Sequence, residues 1–254
     1  MQRFVMRLIY GLTLVVLTVV FSIWPVEAQA PQATYPEVMS DAAVSHDAHK
    51  GHGGGAWEGS AQGVAYSEFN HRFVGLFVIL VGLAELGHAL RYPLPFWIRL
   101  VLPSALAIIG PYLLIWSDHE AWPIGRLSFA QTFFGQDQEI IQHKFYGVFG
   151  TTASVSETFR RMGWARHPAW AAPLFFLGSV GALLLFFHSH GNHPANQTIE
   201  LHHALLGSLG IGAAVSNAMV SWASGTSGQT MKRWEVAWAT CVIAMGLQLL
   251  VYFE

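Results

Sequence analysis

The chain has 254 residues, of which 53% are hydrophobic and only 11% charged, with a formal net charge of −2. So apolar a composition excludes an ordinary soluble domain and leaves length for several membrane spans. A slightly acidic balance excludes the basic surface that nucleic acid requires, so no nucleic-acid partner is expected.

Residues 1–30 read as an export signal, excluded from the fold. Arg3 and Arg7 precede an apolar stretch from Leu8 to Trp24, and Ala28-Gln29-Ala30 has the small-x-small pattern of a signal-peptidase site. An uncleaved anchor is the alternative, because the apolar stretch approaches the length of a span. Residues 31–67 read as a flexible, histidine-rich extracytoplasmic tail. Within it His46, His49 and His52 recur at a period of three beside glycines, a composition suited to metal capture, or else to a solvated linker. The one cysteine, Cys241, sits in an apolar stretch, and no CxxCH is present, which excludes covalent c-type haem.

Six apolar stretches of spanning length follow, at about 68–90, 97–116, 139–158, 170–187, 199–222 and 234–253. The expected fold is therefore an all-α membrane protein, with residues 68–254 forming a six-helix transmembrane domain. Arg91 and Arg99, then Arg160, Arg161 and Arg166, then Lys232 and Arg233 fall in alternate connections, which the positive-inside rule places in the cytoplasm. The tail and the start of the first span are then outside, as in a multi-pass protein of a bacterial inner membrane.

The odd-numbered stretches repeat one pattern. Aligned on a histidine they read His71-Arg-Phe-Val-Gly75, His143-Lys-Phe-Tyr-Gly147 and His203-Ala-Leu-Leu-Gly207. Small residues follow at the eleventh position (Gly82, Ser154, Ala214) and polar ones at the fourteenth (Glu85, Glu157, Asn217). All return to one helix face, with the polar group about 21 Å deeper than the histidine. Small and polar residues in lipid belong against protein, so the stripes are expected to converge as three hairpin repeats in a pseudo-threefold arrangement, with the odd helices innermost.

At the outer level a carboxylate stands one turn before each histidine: Glu68 before His71, Glu139 before His143, Glu200 before His203. That spacing puts carboxylate and imidazole on one face, as helical metal sites do, although acids also favour helix N-termini without any metal. The segment Asp118-His119-Glu120, the cluster His188, His190 and His193, and His202 add further donors at this level. Imidazole and carboxylate suit Cu(II) first by Irving–Williams ordering, with zinc next. Haem b held by two of His71, His143, His202 and His203 is a further possibility. Glu85, Glu157 and Asn217 read either as a proton or cation relay or as residues paired with nearby arginines.

The outward histidines, the histidine-rich tail behind a signal sequence, and the stretch Trp116-Ser-Asp-His-Glu-Ala-Trp-Pro-Ile-Gly125 resemble copper-resistance inner-membrane proteins of the CopD type. The resemblance covers general architecture from His71 to Glu254 and implies copper binding, uptake or tolerance. Three alternatives stand beside it: a b-type haem redox protein, a di-metal membrane enzyme built on the Glu/His pairs, and a structural subunit of a larger membrane complex. The expected partners are a metal ion and membrane lipid.

Overall fold

The computed structural model describes residues 60–187, 196–223 and 227–254. The signal segment, the tail histidines His46, His49 and His52, and the cluster His188, His190 and His193 lie outside the described residues. Every regular element among the described residues is helical: α1 (Ala61–Ala89), α2 (Val101–Trp116), α3 (Phe129–Phe134), α4 (Gln138–Arg161), α5 (Ala172–Leu185), α6 (Asn196–Trp222) and α7 (Gly228–Leu250). Short 3-10 turns, Phe96–Leu100 and Pro168–Ala171, lead into α2 and α5. The six long helices coincide with the six apolar stretches. α1 starts earlier than the sequence boundary, because the Ser60 side chain accepts from the Gly63 N–H at 3.1 Å and caps the helix there.

Four segments among the described residues are long and apolar enough to cross a membrane: Ala61–Ala89, Phe96–Trp116, Pro168–Leu185 and Gln197–Trp222. The other two long helices are more polar. α4 carries Glu139, Lys144 and Glu157, and α7 carries Lys232, Arg233 and Glu235.

The long helices close a ring in which α1 packs on α7 and α2, α2 on α4, α4 on α5, α5 on α6, and α6 on α7. α1, α4 and α6 make no close backbone approach to one another, so the expectation of three tightly converging odd helices needs correction. Their small residues instead admit the helix preceding each around the ring. A Cβ on Gly75 would lie 3.0 Å from the Gly246 carbonyl oxygen, one on Gly147 3.0 Å from that of Gly110, and one on Gly207 2.9 Å from that of Ala182. Lower down, Gly82 abuts Ile243, Ala214 abuts Gly178, and Ser154 Oγ donates to the Pro103 carbonyl at 2.8 Å. In lipid no hydrophobic force joins helices, so close backbone contact supplies the packing instead.

Midway along the bundle Val81, Leu102, Ala105, Ile109, Ala153, Leu174, Ala213 and Val242 form a dry apolar layer. A cavity with charged residues in its lining lies toward each end, and the two linings share no residue. α1 and α4 both terminate at one end in a Schellman motif, with Arg91 (φ 59°) and Gly163 (φ 78°) in the left-handed position. These stops gather Arg91, Arg160 and Arg161 around one cavity, with His88; His71, His119, His143 and His203 line the other.

Candidate metal centre

The C-terminus of α2 organises the histidine-lined end. The last carbonyls of a helix have no partner within it, and here neighbouring helices supply the donors. Tyr66 Oη donates to the Trp116 carbonyl, Asn70 Nδ2 to that of Ser117 at 3.3 Å, and Lys144 Nζ to that of Leu113 at 3.3 Å. Tyr112 Oη in turn donates to Asn70 Oδ1. The ammonium of Lys144 is 1% exposed, and a cation at a helix C-terminus also answers the helix dipole.

Asp118, two residues beyond α2, is fixed by this frame. Its Oδ2 lies 3.1 Å from Lys144 Nζ and its Oδ1 2.7 Å from His143 Nδ1. Burial alone would raise the Asp118 carboxyl; His143 and Lys144 outweigh it and hold the group below the ordinary carboxylate range. A carboxylate only accepts, so Nδ1 of His143 carries a proton, and in the neutral ring Nε2 is the nitrogen left to bind a metal. His71 is oriented likewise, Nδ1 facing the Ser67 carbonyl at 2.8 Å. Pinning Nδ1 with an acceptor is how metal-binding histidines are commonly held.

The cavity here measures about 260 Å³, and His71, His119, Glu139, His143 and His203 all line it. The three repeat histidines thus meet at one hollow. Among the described residues, however, the donors close enough to share one ion are Asp118, Glu139 and His143, whose ligating atoms lie within 4.8 Å of one another. Asp137 caps α4 by accepting from the Ile140 N–H at 3.2 Å, which sets Glu139 and His143 one turn apart on the cavity side.

Other expected donors are placed elsewhere. Glu68 is engaged by Arg72 at 2.6 Å and accepts from the Glu254 N–H, and Glu200 is exposed; neither lines the cavity. A di-metal centre made from all three Glu/His pairs is therefore not assembled, because Glu68 and Glu200 are not carried to the cavity wall with Glu139. His202 also lies off the cavity, its ring against Tyr252 and Phe253, with ring centroids at 5.0 and 5.3 Å. His71 stacks on Tyr252 at 3.8 Å, so the phenol ring stands between two imidazoles.

At the opposite end Glu85, Glu157 and Asn217 do share one cavity, as the stripe predicts. Arg161 bridges Glu85 at 2.7 Å and Glu157 at 3.1 Å, and Arg160 also pairs with Glu157. This pairing favours a structural over a relay role for both carboxylates.

Lys144, Asn70, Tyr66, Tyr252 and Glu254 escaped the sequence reading. For Lys144 a signal existed, a lysine nearly two turns inside a helix of spanning length, which needs a buried partner.

The Asp118 shift gives a pH dependence. A carboxylate depressed in the fold contributes stability above its unfolded value, about 3.9, and loses it as pH falls through the folded value. Chelator-treated protein should lose thermal stability as pH drops below about 4, and Asp118→Asn should flatten that part of the curve; an unchanged slope in the variant would assign it to other carboxylates. The chain matches no family model, no curated protein and no solved structure.

Proposed function

We propose that this is a six-span protein of the bacterial inner membrane that binds copper at its histidine-lined, extracytoplasmic end, in a copper-handling role of uptake or tolerance. The observation that carries the metal reading is the close-set group of Asp118, Glu139 and His143, with the His143 ring pinned through Nδ1. Glu139 and His143 are the donors on which the metal reading rests, with Nε2 the ring nitrogen that Asp118 leaves available. Asp118, engaged on one oxygen by His143 and on the other by Lys144, acts chiefly behind the ring. His71 and His203, on the same wall, offer further imidazole, the donor chemistry that Cu(II) binds most tightly among divalent first-row ions. A cavity of about 260 Å³ is below the roughly 300–1,000 Å³ usual for cofactor-sized ligands, which favours an ion over haem b.

The ring supports six spans: α4 lies between α2 and α5, and α7 between α6 and α1. The polar residues of α4 are compatible with lipid because they point into the protein, Lys144 at 1%, Glu157 at 2% and Gln142 at 7% exposure. A pseudo-threefold relation of three hairpins draws support from Gly75, Gly147 and Gly207, each meeting a carbonyl at an equivalent place on its neighbour. The arginine-lined end then faces the cytoplasm.

Metal analysis by mass spectrometry, with a visible spectrum, on detergent-purified protein lacking an affinity histidine tag tests the reading. Near-stoichiometric copper without a Soret band is expected, and His143→Ala should lower copper affinity by a factor of ten or more. A Soret band would replace copper with haem, and copper retained in full by His143→Ala would remove this site.

A further inference from the structure

The second cavity, about 820 Å³ at the end away from His71, His143 and His203, has a wall that the metal reading does not use, with His88 in its lining. Arg91, Arg99, Arg160, Arg161 and Arg166 line it, against Glu85, Glu157 and Glu235. All three carboxylates are engaged: Glu85 and Glu157 by Arg161, Glu157 also by Arg160, and Glu235 by Arg91 at 2.9 Å. Arg99 and Arg166 have no carboxylate within ion-pair distance among the described residues; Arg166 Nε donates to the Gly163 carbonyl at 3.4 Å. Deeper in the same wall Asn217 is 9% exposed, yet its Oδ1 has no hydrogen-bond partner, and neither does Ser221 Oγ.

Positive-inside bias and helix C-termini explain why arginines gather at this end. They do not explain a hollow of this size in which two guanidinium groups have no carboxylate partner above a buried amide oxygen and a hydroxyl oxygen that no protein group bonds. A buried polar group without a partner costs stability, so the wall is built for a ligand that brings hydrogen bonds as well as negative charge. Guanidinium matches the geometry of phosphate oxygens, and the Ser221 hydroxyl and the Asn217 Nδ2 can donate to the same oxygens; Asn217 Oδ1 only accepts, so it calls for a hydroxyl on the ligand, a P–OH or one on a headgroup.

We propose that this cavity binds a phosphate group, with Arg99 and Arg166 as its charge partners and Asn217 and Ser221 at its base. The group has two possible carriers of the same chemistry, an anionic lipid headgroup entering from the cytoplasmic leaflet and a soluble phosphate.

The test uses the full chain. Native mass spectrometry from mixed phosphatidylglycerol and phosphatidylcholine micelles reads the lipid arm, and titration with inorganic phosphate, followed by thermal shift in phosphatidylcholine nanodiscs, reads the soluble arm. Preferential retention of phosphatidylglycerol, or a saturable shift with phosphate, is the expected result, and which of them occurs identifies the carrier. Arg99→Gln with Arg166→Gln, both at exposed positions, should weaken the binding about thirtyfold. Asn217→Ala should weaken it while both arginines remain. Neither ligand bound, or binding unaltered in the double variant, would overturn the proposal. Copper content is expected to stay unchanged in these variants, which keeps this result separate from the metal reading.

Discussion

Lys144→Met is expected to destabilise the folded protein by about 3 kcal/mol, the lower end of the cost of breaking a buried ion pair, because the His143 ring still faces Asp118 once the ammonium is gone. Lys144 is 1% exposed, and Asp118, whose side chain is 9% exposed, has no second ammonium or guanidinium beside it among the described residues. The loss also strips a donor from the Leu113 carbonyl and from Ser117 Oγ, which sits 3.2 Å from the ammonium. Thermal unfolding in a mild detergent measures it. The double variant Lys144→Met with Asp118→Asn should recover much of the loss, since two uncharged groups of similar size then fill the site. If the single variant melted like the wild type, Lys144 would have to find water rather than Asp118.

Gly246→Val should cost about 3 kcal/mol, the upper part of the usual range for overpacking. A Cβ there would lie 2.7 Å from the Ile79 backbone nitrogen and 3.0 Å from the Gly75 carbonyl oxygen, so α1 and α7 must part rather than rotate a side chain. Gly178→Ala is the control. Its added methyl would meet Ala214 Cβ at 3.4 Å, an ordinary contact, and alanine is the better helix former, so an effect within about 1 kcal/mol is expected. Equal melting temperatures for the two variants would show that close approach at Gly246 does not hold the ring together.

The same contacts explain why sequence patterning reached as far as it did. Apolar runs of spanning length located the six long helices, though α1 and α7 each begin six or seven residues before the apolar run, where Ser60 and Ser227 cap them. Periodicity also brought His71, His143 and His203 to one cavity and Glu85, Glu157 and Asn217 to another, since a stripe with offsets of four, eleven and fourteen must share a face. Periodicity within one helix says nothing of which neighbour that face meets. Gly75, Gly147 and Gly207 therefore read as marks of mutual convergence, whereas each receives the preceding helix around the ring.

The candidate metal centre shows the same division. Glu139 and His143 were legible from their one-turn spacing, but identical spacing at Glu68/His71 and Glu200/His203 did not bring those glutamates to the cavity. What separated them was tertiary. Arg72 takes Glu68 on its own helix, while Asp118, carried in on the end of α2, reaches His143 across 25 residues of chain. The sequence by itself determined an all-helical, strongly apolar chain with most of its histidines and most of its arginines at opposite ends, because helical period and side-chain polarity are local properties. Only the tertiary structure decided which donors stand within reach of one ion and which arginines remain uncompensated, because both depend on distances between helices that no spacing along a single helix encodes.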